Sequence, residues 1–288
     1  VNHERSHRGR MHSNRGWEQK MKGFFSLPGE RLFHVATLSA LGFLLLFFVG
    51  IISSLATYTD WRQFFSILFS KEILFAIRLT LFTSTMATII SMVFAVPAAY
   101  AISKTNFRGK NIVDTILDLP IVISPIALGA ALLVFFNTSL GRALEGNLMR
   151  FVFEVPGIVL AQFTIISALA VRLLKATFDS INPRYERVGR TLGYTKIKVF
   201  FKVTLPLARN GLIAASILTW ARAVGEFGAT VTVAGAMKMK TETLPIAIFL
   251  NLAQAEVERA IAVVFVLVAI AVIALVILRR FTSRRQTS

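Results

Sequence analysis

The sequence predicts an all-α integral membrane protein of six transmembrane helices with N and C termini cytoplasmic, and three observations carry that prediction. The chain has 55% hydrophobic residues and a mean hydropathy of +0.66 over 288 residues, too apolar for an ordinary soluble domain. Its apolar residues gather in runs that approach or exceed the about 18 positions that read as a spanning helix. Its Lys and Arg, which set a net charge of +17, collect in alternate loops. In a soluble chain that charge would suggest nucleic acid. Here its distribution orients a membrane protein, and no nucleic-acid partner is expected.

Residues 1–31 carry Arg5, Arg8, Arg10, Arg15, Lys20, Lys22 and Arg31 against three Glu, the composition of a solvated basic tail. Trp17, Met21, Phe24 and Phe25 share one face and can form a short interfacial helix at its end. Val1 admits either a non-standard start codon or a mature start further along.

The first span is predicted over residues 32–55, longer than the about 7–15 apolar residues of a signal sequence. Tyr58 and Trp61 fit an aromatic belt, and Trp61, Phe64, Phe65 and Leu68 have the spacing of a short helix lying in the interface. Further spans are predicted at 73–103, 112–136, 155–174, 207–233 and 260–278, with a polar return at 238–259. Pro97, Pro120 and Pro125 fall in or near these helices as kinks. The loops on one side hold 23 Lys and Arg and those on the other hold 6, so both tails, including residues 281–288, face the cytoplasm with the 172–209 segment.

That segment contains YERVGRTLGYTKIKVFFKVTLP, Tyr185–Pro206. Pro183 is placed to start a helix after Asn182, and Gly193 marks a turn. Val188, Leu192, Ile197, Phe200 and Phe201 line one face, with Arg187, Arg190, Lys196 and Lys198 on others. Two readings are open: a helix lying on the anionic inner leaflet, or one that grips a partner.

The spacing from Gly193 to Val203 and Leu205-Pro206 resembles the signature E-A-A-x-x-x-G, nine spacers, I-x-L-P of binding-protein-dependent ABC importer permeases. Arg187 then takes the Glu position, with Glu186 adjacent, and Val188 and Gly189 take the two Ala positions. The resemblance implies a type I importer fold over residues 73–280 and an ATPase-coupling helix near 183–194. Pro183, Tyr185, Glu186, Arg187, Val188, Gly189, Leu192, Gly193 and Tyr194 are its contact residues.

A second stretch, ARAVGEFGAT at Ala221–Thr230 followed by KTETLP, resembles permeases that import molybdate and tungstate. Sulfate and thiosulfate permeases, which tend towards GEYGS, are their nearest relatives and the alternative substrate class. Arg222 and Glu226 stand one helical turn apart, so each can neutralise the other in the membrane. That pair either locks the helix in place or serves as a gate or substrate contact. Gly225 and Gly228 permit close approach or bending, and Phe227, Thr230 and Thr232 complete the translocation candidates. With no dense basic pocket in the spans, selectivity falls to a separate soluble or lipid-anchored binding protein on the outer side.

Several chemistries lack support. With no Cys there is no disulfide, thiolate ligand or thiol nucleophile, and three of the four His lie in the tail, so no metal site is expected. The acids form no paired-carboxylate constellation, so no catalytic residue is assigned. Gly109-Lys110 is followed by Asn111 and lacks the upstream glycine of a P-loop. ATP and Mg therefore belong to a partner ATPase, and this chain is a multi-pass plasma-membrane transport subunit, not an enzyme. The resemblance further implies a homodimer and alternating access. The rival from another class is an ATP-independent secondary anion transporter, which would need coupling ionisable groups or inverted repeats; only Arg78, Arg222, Glu226 and Arg259 are candidates and no repeat is visible.

Overall fold

A computed structural model describes residues 28–57, 59 and 61–283, which form two compact units divided at Thr59. The interfacial helix expected around Trp17–Phe25, Tyr58, and the tail beyond Ser283 lie outside the described residues. The first unit contains one uninterrupted helix, α1 (Pro28–Thr57), which starts four positions before the predicted span. Proline suits that first turn, where its missing N–H has no intrahelical partner to lose. Hydroxyls within α1 bond back to its own backbone: Thr37 Oγ1 donates to the Phe33 carbonyl at 2.9 Å and Ser54 Oγ to the Ile51 carbonyl at 2.7 Å. Such back-bonding keeps hydroxyls compatible with hydrocarbon.

The second unit begins with α2 (Trp61–Leu68) and α3 (Lys71–Lys104), the latter capped by Ser70. The amphipathic α2 forms as expected, but Ile67 and Leu68 pack on a core of Ile73, Ala76, Leu244 and Val263, and Phe64 meets Phe265 edge to face at 5.7 Å. Phe65 stays exposed. Phe64, Ile67 and Leu68 are thus turned to protein. The most extensive helix contact joins α3 to α7 (Val155–Asp179). Alanines sit at several of its buried positions, Ala95 and Ala99 of α3 clustering with Ala170 of α7 and Ala87 with Ile166, while Leu174 and Phe178 fill the space around them. Small side chains allow the close backbone approach that drives packing where no hydrophobic effect operates. After α7 come α8 (Pro183–Thr191), α9 (Lys196–Val199), a π-helical turn at Phe200–Thr204 that runs into α10 (Leu205–Val224), α11 (Gly228–Ala234), α12 (Leu244–Ala253) and α13 (Val257–Ser283).

Two of the predicted spans are broken. The 112–136 segment is two helices, Lys110–Val122 (α4) and Pro125–Asn137 (α5), bent by 110°, and it leads into the short α6 (Ser139–Asn147). The cause is local: Pro125 pushes Ser124 out of the helical region to ψ 135°, and Ile123 is extended too. The 207–233 segment is likewise divided at Gly225–Phe227 into α10 and α11. Among the described residues, four helices (α1, α3, α7 and α13) are long and apolar enough to cross a membrane, and five if the bent pair counts as one span.

The return at 238–259 is less polar in the fold than its ends suggest. It contains α12, with Leu244, Ile246 and Ala247 fully buried. Ten residues rise only about 15 Å, half a bilayer core, so α12 enters the bundle without crossing it. Its first amide is satisfied by α3, where Thr80 Oγ1 accepts from Leu244 N at 2.8 Å. Charges gather at the same end: Glu72 pairs with Lys238 at 3.2 Å and Arg259 at 3.0 Å, and Lys240 with Glu154 at 2.6 Å.

Candidate functional site

The first candidate site is α8 and the turn that ends it. Asn182 caps the helix by accepting from Arg184 N at 3.0 Å, and Pro183 follows in the first turn. At the other end Gly193 adopts φ +84°. Its N–H reaches the Arg190 carbonyl at 3.0 Å, and Tyr194 N reaches the Gly189 carbonyl at 3.2 Å. That pair of bonds is a Schellman cap, which needs a residue free to adopt the left-handed region. Gly189 is the buried contact point beneath, where a Cβ would sit 3.1 Å from Val199 and 3.5 Å from Val203.

Glu186 faces inward from α8. Its carboxylate accepts from Thr204 Oγ1 at 2.7 Å and from the Tyr100 hydroxyl at 3.5 Å. Tyr100 lies on α3 and packs against Phe178 of α7 and Phe200 of the π turn. The π turn itself follows from Pro206, which has no N–H to return to the Lys202 carbonyl; Leu205 N bonds Phe200 O instead. Pro183, Tyr185, Arg187, Val188, Leu192 and Tyr194 are exposed, Leu192 at 72%, and the Tyr194 ring has the Lys202 ammonium 5.8 Å from its centre. An exposed apolar row with a polar anchor behind it marks a face for a partner or a membrane surface rather than core.

The second candidate site is the break between α10 and α11. Glu226 is only 1% exposed, and both of its oxygens are used: Oε2 pairs with Arg222 at 2.7 Å and Oε1 accepts from Ala229 N at 3.0 Å, capping α11. Gln162 on α7 donates to the Ala223 carbonyl at 3.1 Å, beside the break. Phe227 packs on Phe249 of α12 with ring centres 5.5 Å apart. A Cβ on Gly228 would lie 3.0 Å from Pro125, and one on Gly129 would lie 2.8 Å from Thr232, so α11 and α5 touch through their glycines. Gly225 has no such neighbour; it ends α10 facing open space. Thr232 back-bonds to the Gly228 carbonyl at 2.7 Å, whereas the buried Thr230 hydroxyl has no hydrogen-bond partner among the described residues.

Residues 87–287 match the family model described as the binding-protein-dependent transport system inner membrane component. The chain belongs to that family. The permease is 34% identical over 199 residues to a probable molybdenum ABC transporter permease protein of Haloferax volcanii, covering 69% of this chain and 73% of that one. It is 30% identical over 209 residues to a molybdate/tungstate transport system permease protein of Pyrococcus abyssi (72% and 80% covered), and 34% over 164 residues to a sulfate transport system permease protein of Synechococcus elongatus (56% and 57%). Its fold resembles a chain in the crystal structure of a bacterial alginate ABC transporter in complex with an alginate pentasaccharide-bound periplasmic protein. The TM-score there is 0.71 at 18% identity, over 88% of the permease and 95% of that chain.

The two candidate sites of the permease lie at opposite ends of α10, whose 20 residues rise about 30 Å. The Leu205–Pro206 dipeptide opens that helix and Arg222 closes it. The acid that anchors α8 inward is Glu186, not the residue at position 187, whose side chain is exposed. Sequence reasoning did not find Tyr100, Thr204, Gln162 or Thr80. For Tyr100 the available signal was weak: a phenol near the polar end of an otherwise apolar helix.

Proposed function

We propose that this ABC importer permease subunit carries a tetrahedral oxyanion, molybdate or tungstate. Two permease copies would enclose the pathway across a two-fold axis in the plasma membrane, with six spanning segments each and both termini cytoplasmic. Cytoplasmic ATPase subunits would hold ATP and Mg, and a binding protein would dock on the outer side. The family and the relatives support the transport class, and the molybdate/tungstate relatives support the substrate. The observation that carries the mechanism is the anchoring of α8 to α3 and α10 through Glu186.

In that mechanism α8 is the lever's handle. An ATPase closing on the exposed Val188 and Leu192 would pull α8, and the Glu186 bonds to Thr204 and Tyr100 would pass the pull to two long helices. α10 ends at the Arg222–Glu226 pair and the break, while α3 holds the start of α12 through Thr80. Moving the handle therefore re-aims the α10–α11 break and α12, as alternation between two states with different contacts requires. The partly exposed Arg222, neutralised by Glu226, offers an oxyanion no unpaired cation to stall on.

The test is vanadate-sensitive uptake of molybdate, tungstate and sulfate in vesicles carrying the permease with its ATPase and binding protein. Molybdate or tungstate uptake should exceed sulfate uptake. More efficient sulfate uptake would move the assignment to the sulfate class, and uptake without an ATPase would remove it from this mechanism. A reporter fused after residue 145 should report the outer side.

A further inference from the structure

Beside α8 lies a cavity of about 470 Å³ with an unusual pairing of walls. Lys104 from the end of α3, Arg190 from α8 and Lys196 from α9 supply its cations; Pro97, Phe200 and Phe201 supply apolar wall. Glu186 is the one acid lining it, and its two oxygens already accept from Thr204 and Tyr100. Lys104 donates to the Ile181 carbonyl at 3.0 Å, but among the described residues neither Arg190 nor Lys196 has an ion-pair partner. Glu186, and Asp179 beside Lys104, offset part of this charge, but Arg190 and Lys196 leave the hollow net positive, which favours an anion between them.

The apolar wall continues beyond the cavity. On α3, Met86, Ile90 and Phe94 are exposed at i, i+4 spacing and lead along one face towards Pro97. From Pro97 to Met86 the helix rises about 16 Å, close to the roughly 15 Å depth of one hydrocarbon leaflet. A small free anion would have no use for such a strip; a molecule with an anionic head and an acyl tail matches both parts. We infer that this cavity is an anionic-phospholipid site, with the phosphate held by Lys104, Arg190 and Lys196 and an acyl chain laid along the α3 strip. The site rests on the cytoplasmic placement of α8 given above. It reconciles the two readings of the basic helix: its exposed apolar row is free for a partner, while its cations beside α3 hold lipid. The headgroup would also bridge α3 to α8 across the gap that Glu186 spans nearby.

The test is native mass spectrometry of the full-length permease, purified with any subunits that accompany it, from nanodiscs of phosphatidylcholine with or without phosphatidylglycerol. Phosphatidylglycerol should be retained in preference to phosphatidylcholine, and an Arg190→Gln/Lys196→Gln variant should lose retention by about fivefold per charge removed. An Arg184→Gln/Lys198→Gln variant, which removes two cations of the same segment outside the cavity, should retain lipid unchanged. Equal retention of both lipids, loss in the Arg184/Lys198 variant alone, or no retained lipid because a second copy covers the strip, each overturns the site. Retained inorganic phosphate in place of lipid, from phosphate-containing buffer, assigns the cations to a free anion and overturns the lipid. The measurement uses neither substrate nor nucleotide, so it fails or succeeds independently of the uptake assay.

Discussion

Glu186 accepts a hydrogen bond from Thr204 at 2.7 Å, joining the middle of α8 to the head of α10 across 18 residues of sequence. A charged acceptor makes this bond worth about 1.5–3 kcal/mol, roughly ten- to a hundredfold in any equilibrium that depends on it. Glu186→Ala and Thr204→Val should therefore each lower uptake about tenfold or more, while ATP hydrolysis by the partner continues. The double variant should be little worse than either single one, because both remove the same link. Uptake and hydrolysis measured on the same vesicles check this; additive losses would mean that the two side chains act separately.

The Schellman turn makes a second, conformational prediction. Gly193 has open space around its Cα, so a substitution there meets strain alone. At φ +84° an alanine should cost about 1–2 kcal/mol, and asparagine less, because Asn tolerates the left-handed region. Thermal melting of the purified complex and uptake should rank Gly, Asn, Ala in descending order. An Ala variant as stable and active as the parent would show that the turn is not under tension in the assembly.

How much of this was legible beforehand follows from which forces are local. The cap at Asn182–Pro183 and the glycine turn could be read because each depends on one residue's backbone preference. The break before Pro125 was visible as a kink but not as a 110° bend, because proline's local preference does not fix the angle at which the next helix leaves. Residues 186 and 187 differ by about 100° round the helix, and spacing alone does not say which turns inward. Tyr100 and Thr204 do, through contacts 86 and 18 residues away in sequence, and no local pattern carries those. α12 was hidden for a different reason: its ten residues, apolar but for Asn251, follow a Lys-rich loop and are too few for a span.

The two glycines of the α5–α11 contact should be far less replaceable than Gly225. A Cβ on Gly129 would stand 2.8 Å from the Thr232 Cβ and 3.0 Å from the Ala229 Cα, the latter backbone that cannot move alone. Gly129→Ala should cost about 1–3 kcal/mol of stability through overpacking. At Gly225 the nearest atom is the Ala221 carbonyl oxygen at 3.9 Å and φ is −87°, so Gly225→Ala should be close to neutral. Melting temperatures in detergent decide between them, and a reversed order would place the close approach at the wrong end of the break.

The Arg222–Glu226 pair was open to two readings, a lock or a gate, and its geometry yields a prediction that separates them. Glu226 is 1% exposed and caps α11 through Ala229 N, whereas Arg222 keeps 39% of its surface in contact with the surroundings. Removing Arg222 strands a buried carboxylate with one backbone donor; removing the charge of Glu226 strands an arginine that can still turn outward. If the pair is a lock, Arg222→Met should therefore destabilise more than Glu226→Gln, approaching the about 3–5 kcal/mol of a broken buried pair. The Arg222→Met/Glu226→Gln double variant should recover much of that loss, since Gln still accepts from Ala229 N and no charge is left unpaired. Uptake should then follow stability across all three. If the pair is a gate, the double variant should melt like the parent yet transport poorly or leak anion without ATP. Measuring melting and ATP-free leak on the same three preparations therefore assigns the role.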